Sequence, residues 1–133
     1  MSSIPIKFPF KKRKREIIAK FQNEEILEIS FFSNFYGVAS KKFKQVRGNG
    51  VLILTKEEIF FGMFIPKKEI KIPLKSIIEV KTPKWFLGKT RFRPVLVIDF
   101  INEEGKTDSA AWEVRNINGW KSRLKRLYKS GTT

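Results

Sequence analysis

The chemistry this chain can offer is carried by ammonium and guanidinium groups. Lys11, Lys12, Arg13, Lys14 and Arg15 stand in one unbroken run, Lys41, Lys42, Lys44 and Arg47 crowd a second stretch, and Lys67 and Lys68 form a pair between two apolar runs. Such groups hold anions, because each contact with a phosphate or carboxylate oxygen is a charge-assisted hydrogen bond. Across the 133 residues, 28 Lys and Arg stand against 13 Asp and Glu, a formal charge of +15. An excess of that size favours polyanionic partners: nucleic acid, anionic lipid or an acidic protein face. The charge is also segregated. Residues 1–23 hold seven basic side chains against Glu16 alone, whereas Glu24, Glu25 and Glu28 follow directly after. Lys84, Lys89, Arg91 and Arg93, and later Arg115, Lys121, Arg123, Lys125, Arg126 and Lys129, occupy further stretches free of acids.

Catalytic chemistry is poorly supplied. The chain contains no histidine and no cysteine, so the commonest general base, metal ligand and thiol nucleophile are missing together. Its Ser and Thr residues lie in no nucleophile motif. Asp99 and Glu113 fall on neighbouring expected strands and are read as two outward-facing carboxylates rather than an acid–base pair. Gly48-x-Gly50 precedes a strand rather than a helix, which a nucleotide fingerprint does not allow. The expectation is a protein that is not an enzyme, with no metal and no cofactor. The longest apolar stretch, Ile59 to Pro66, is far short of the ~20 residues of a membrane span, and a cytoplasmic protein, peripheral at the membrane, is expected.

The elements that must position these groups are strands followed by one helix. Val51–Thr55, Glu58–Phe64, Glu69–Leu74 and Ile77–Lys81 are short runs of apolar, β-branched and aromatic residues, each ended by a charged or proline-bearing turn. Glu25–Tyr36 alternates imperfectly and reads as a first long or bent strand. Gly37–Asn49 and Thr82–Arg93 read as loops, the second with Trp85-Phe86-Leu87 at its centre. Pro94–Ile101 and Thr107–Val114 complete seven strands, joined by Asn102–Lys106, where Gly105 is available for positive φ. From Ile117 the period becomes 3.6, with Ile117, Trp120, Leu124, Leu127 and Tyr128 on one side, and Asn116 or Asn118 as cap. Residues 1–22 read as a basic arm or short helix and 23–130 as the folded domain. Ile17, Ile18 and Phe21 share a face of that helix, although cations at its start oppose the macrodipole.

Gly48-x-Gly50-x-Leu52-x-Leu54-Thr55, Ile72-Pro73-Leu74-x-x-Ile77-x-x-Val80, Gly88 and Trp120-x-x-x-Leu124 together resemble the pleckstrin-homology-like (PH-like) superfamily, most closely its GRAM and bacterial PH-like branches, with a GLUE-type domain as an alternative. The resemblance implies a mainly β fold of seven antiparallel strands in two near-orthogonal sheets, capped by one C-terminal helix that plugs the core with Trp120. It also implies an anion-binding rim made by the first connection, with Lys41, Lys42, Lys44 and Arg47, and by Lys67 and Lys68. Val51–Thr55 has no cation where phosphoinositide-binding PH domains carry them on the second strand, and Glu103-Glu104 places acid on another loop of that rim.

Three functions follow as expectations. The first is a non-enzymatic adaptor recruited to anionic lipid head groups by the basic loops and by Lys11–Arg15, with Phe8, Phe10, Trp85 and Phe86 available for insertion or partner contact, since cations and adjacent apolar groups act together at a membrane. The alternative is a protein-binding module of GLUE type with ubiquitin or a trafficking subunit as partner. The third is nonspecific nucleic-acid binding, in which bases would stack on aromatic rings.

Overall fold

The computed structural model describes residues 9–41, 45–87, 89–90 and 93–130. Helix α1 (Pro9–Ala19) is followed by β1 (Glu28–Val38), β2 (Gly48–Leu54), β3 (Glu58–Met63), β4 (Lys68–Pro73), β5 (Ile77–Lys81), β6 (Trp85–Phe86), β7 (Lys89–Thr90), β8 (Leu96–Ile101), β9 (Thr107–Glu113) and helix α2 (Ile117–Ser130). Seven strands form one antiparallel ladder in the order β4-β3-β2-β1-β9-β8-β5. Strand β1 joins its two halves, pairing with β2 from Glu28 to Phe35 and with β9 from Asn34 to Val38.

That order forces the sheet to curl. β4 and β5 lie at opposite ends of the ladder, yet only the turn Leu74–Ser76 separates Pro73 from Ile77. Four Cα–Cα steps reach about 15 Å, whereas a flat sheet of seven strands would hold its outer strands roughly 29 Å apart. The two halves therefore face each other, and Phe35, Leu52, Phe61, Ile72, Ile98 and Trp112 fill the enclosed side.

Helix α2 closes one end as its 3.6 period requires. Trp120 and Leu124 are buried in the main core with Tyr128, and Ile117 and Leu127 pack against them. Asn116 precedes the helix, and its carbonyl accepts the first helical bond from the Trp120 amide at 3.0 Å. Asn102–Lys106 turns as expected, with Gly105 at φ +79° and the Asn102 side chain accepting from the Glu104 and Lys106 amides.

Two further apolar clusters cover the outer side of the sheet. Thr82–Arg93, expected as a loop, contains the hairpin β6–β7, which turns through Leu87 at φ +52° and buries Phe86 against Val95, Val97 and Ala111. Two-residue strands carry no measurable period, which is why the hairpin is invisible in the sequence. The other cluster seats α1. This helix lies along β3, with Phe21 edge-on to Phe60 at 5.0 Å, Ile17 over Gly62, and Phe10 stacked on Phe64 at 4.6 Å. Cations at its N-terminal end cost about 0.3–1 kcal/mol each against the macrodipole, but fully burying side chains such as Ile17 and Phe21 contributes about 1.5–3 kcal/mol apiece. Packing wins.

Gly62 is what lets the helix approach. A Cβ at this position would lie 2.6 Å from Ile17 Cδ1, so α1 rests directly on the β3 backbone. Gly62→Val should cost about 1–3 kcal/mol as an overpacked contact. A melting temperature equal to that of the unaltered chain would show that α1 does not sit there.

Candidate functional site

The sequence-designated cations divide by where these elements carry them. On α1, Lys11, Lys12 and Arg15 are exposed and make no ion pair among the described residues. Arg13 points inward instead: it is buried, and its Nε donates to the Met63 carbonyl at 3.2 Å. It holds the helix to the end of β3 and is not offered to a ligand. Lys14 is partly buried, with Nζ 5.5 Å from the Phe32 ring and 5.9 Å from the Phe64 ring. Lys67 reaches back from the β3–β4 turn to Glu16 at 3.6 Å, which places that turn and Lys68 beside the helix.

The end of the first connection meets the same region. Phe64 donates its amide to the Asn49 carbonyl at 3.0 Å, and a Cβ at Gly48, directly after Arg47, would lie 3.6 Å from the Ile65 carbonyl oxygen. Ile65 is 70% exposed and Val46 46% exposed, so two aliphatic side chains stand in solvent among Arg47, Lys67 and Lys68. This convergence of cations and open apolar groups at one end of the sheet is the candidate site.

Other designated residues lie elsewhere. Lys41 is exposed but sits in the turn Ala39–Lys41, which is tied to β9 by Ser40, whose amide and hydroxyl donate to Asp108 at 3.0 and 2.6 Å. Burial pushes the Asp108 carboxyl up, but the Ser40 donors, the Ser109 amide and the Asn102 side chain outweigh it and hold it below its ordinary value. A shallow groove here is lined by Asp99 and Asp108 with Ala39 and Ile78, and its sign is wrong for an anion. Asp99 accepts from Ser109 and pairs with Lys81 at 2.9 Å, and its register partner is Ser109. Glu113 instead pairs with Asn34 at the far end of β9, so the two carboxylates do not meet. Trp85 is 61% exposed, while Phe86 is buried beneath it and cannot insert without unpacking the hairpin. Phe10 is half-buried against Phe64. Phe8, Lys42 and Lys44 lie outside the described residues.

Val51–Leu54 on β2 is buried throughout and carries no Lys or Arg. Among the described residues there is no cluster of metal-binding side chains, and no helix is long and apolar enough to cross a membrane.

No protein-family model matches the chain, and no curated protein does. Solved structures match it in shape. The N-terminal PH domain of Vps36 superposes with a TM-score of 0.60 at 16% identity, covering 84% of this chain and 83% of that one. The fold is PH-like. The C-terminal domain of an unknown protein from Leishmania infantum matches with a TM-score of 0.57 at 14% identity, over 92% of this chain and 97% of that one. At such identities the likeness concerns the fold alone. The antiparallel ladder brings the C-terminal end of β1, the β3–β4 turn and the β8–β9 turn to one end of the sheet, and α2 packs into the core.

Sequence reasoning missed Phe31 and Phe32, each 49% exposed on β1, and Ile65. The doubled Phe that broke the alternation of Glu25–Tyr36 was the available signal, because a break in period 2 marks a bulge.

Proposed function

We propose that this PH-like chain is a non-enzymatic adaptor that docks on anionic membrane surfaces through α1, the β3–β4 turn and the end of the first connection. The observation that carries the reading is the convergence of Lys14, Arg47, Lys67 and Lys68 with exposed Ile65 and Val46 at one end of the sheet, with Lys11 and Arg15 on the adjoining flank of α1. Separated cations would give only weak, diffuse attraction. Grouped cations with adjacent apolar side chains supply the two signals that stable surface binding needs.

Co-sedimentation with vesicles tests it. Phosphatidylcholine vesicles containing phosphatidylserine should bind the chain, pure phosphatidylcholine vesicles should not, and binding should fall as salt shortens the screening length toward ~8–10 Å. Equal binding to both vesicle types would sink the reading and favour a protein partner. Much tighter binding of single-stranded nucleic acid at matched salt would favour the nucleic-acid reading.

A further inference from the structure

We propose that the Phe31–Phe32 bulge of β1 is the element that enters the apolar layer of an anionic bilayer, with Lys11, Lys14 and Arg15 seated on the head groups beside it. This inference rests on the membrane reading above and names its insertion device.

The register of β1 makes the device. Ser30 is the cross-strand partner of Leu52 and Ser33 that of Gly50, so three steps on β1 match two on β2. Cross-strand partners share a face. Ser30 and Ser33 therefore both turn toward the enclosed side, and the Ser33 hydroxyl donates to Ser30 Oγ at 2.7 Å. An alternating strand would send only one of the two residues between them outward. The extra residue of the bulge sends both Phe31 and Phe32 out, side by side and half in solvent.

The helix beside them supplies the charge. With 3.6 residues per turn, the stripe Phe10, Arg13 and Ile17 faces the sheet, while Lys14, Lys11 and Arg15 fall along one flank and Glu16 along the other. Contacts orient the flanks: Glu16 reaches Lys67 and Lys20 reaches Glu69 at 2.8 Å on the β4 side, and Lys14 lies over Phe32 on the β1 side. The flank toward the bulge thus carries three cations and no acid.

That combination selects among occupants. A second copy of the chain would bring like charges together on a surface without acids, which is repulsive. Stacking along a nucleic-acid strand needs successive open ring faces, but Lys14 already lies over Phe32 and Phe10 meets it edge-on at 6.2 Å, which leaves Phe31 alone of the pair outside these contacts. An anionic bilayer asks only for projecting apolar side chains with cations at head-group height.

The absence of cysteine from the chain permits a single-site label. Phe31→Cys, carrying an environment-sensitive fluorophore, should brighten and shift to the blue on phosphatidylserine-containing vesicles. The same label at Ser122→Cys on α2 should not respond. Phe31→Ser with Phe32→Ser should reduce partitioning by about tenfold or more, mainly in the part that survives high salt. Phe32 packs on Phe10 and Phe64, whereas Phe31 takes part in none of these ring contacts, so Phe31→Ser alone provides the same test with the packing intact. If vesicles bind but the Phe31 label stays aqueous and the serine variants bind as before, the insertion device is wrong and the charged surface reading stands. If no form binds vesicles, both fall. If the serine variants lose single-stranded nucleic acid rather than vesicles, the bulge is a base-stacking platform instead.

Discussion

Trp120→Ala is expected to destabilise the protein by about 3–5 kcal/mol, the range for removing a large buried aromatic side chain. Trp120 is 1% exposed and lies in the same cluster as Leu124, Tyr128 and the inner strands, so its loss opens a void at the junction of α2 and the sheet. Few groups there can move in to fill it, because β5, β8 and the Leu74–Ser76 turn, which contact α2, belong to the closed side of the fold. A loss this large is a substantial share of the 5–15 kcal/mol that holds a typical domain together. Chemical denaturation should show an earlier midpoint with an unchanged slope. A midpoint equal to that of the unaltered chain would mean that α2 does not plug the core.

The second large effect is on binding. Replacing Lys11, Lys12, Lys14 and Arg15 by Gln removes four positive charges from one helix, and each basic residue near an anionic leaflet contributes about 1 kcal/mol. Vesicle affinity should fall by as much as a thousandfold at low salt. Arg13 is left in place because its guanidinium is buried and bonded to Met63, so replacing it would confuse folding with binding. The four chosen side chains make no ion pair with protein among the described residues, and relief of the unfavourable cations at the helix N-terminus offsets the loss of Lys14 from the Phe32 and Phe64 rings, so the variant should stay folded. Undiminished vesicle binding in this variant, measured by co-sedimentation, would remove α1 from the contact surface.

The seven strands of the main ladder were legible as apolar, β-branched runs cut off by turn residues, buried on both faces in β2 and β3, and α2 was legible from its 3.6-residue period. β2 begins earlier than its apolar run suggested, at Gly48 rather than Val51, since glycine and asparagine extend a strand by backbone pairing without apolar side chains. The seating of α1 was only half legible. Ile17 and Phe21 announced a buried face, but what that face rests on depended on Gly62, whose meaning appears only when β3 and the helix are superposed. The convergence of Lys67 with α1 is a contact between residues 51 positions apart, through Glu16, and no local pattern encodes it. Arg13 reads from sequence like its four basic neighbours, because helical phase alone does not say which flank meets the sheet.

The two outer strands of the ladder have a consequence of a different kind. β4 and β5 each leave one row of backbone amides and carbonyls without a ladder partner, and such rows invite a strand from another molecule to add on. Here Lys68 and Lys71 stand on β4, Lys75 in the corner and Lys81 on β5, while α2 leans against β5. An incoming copy would have to bury these ammonium groups, with Glu69 already paired to Lys20 and only Glu79 left as an acid on β5, and follow a sharply bent corner. The same lysine-rich composition that draws anions thus also discourages the chain from polymerising through its own strands.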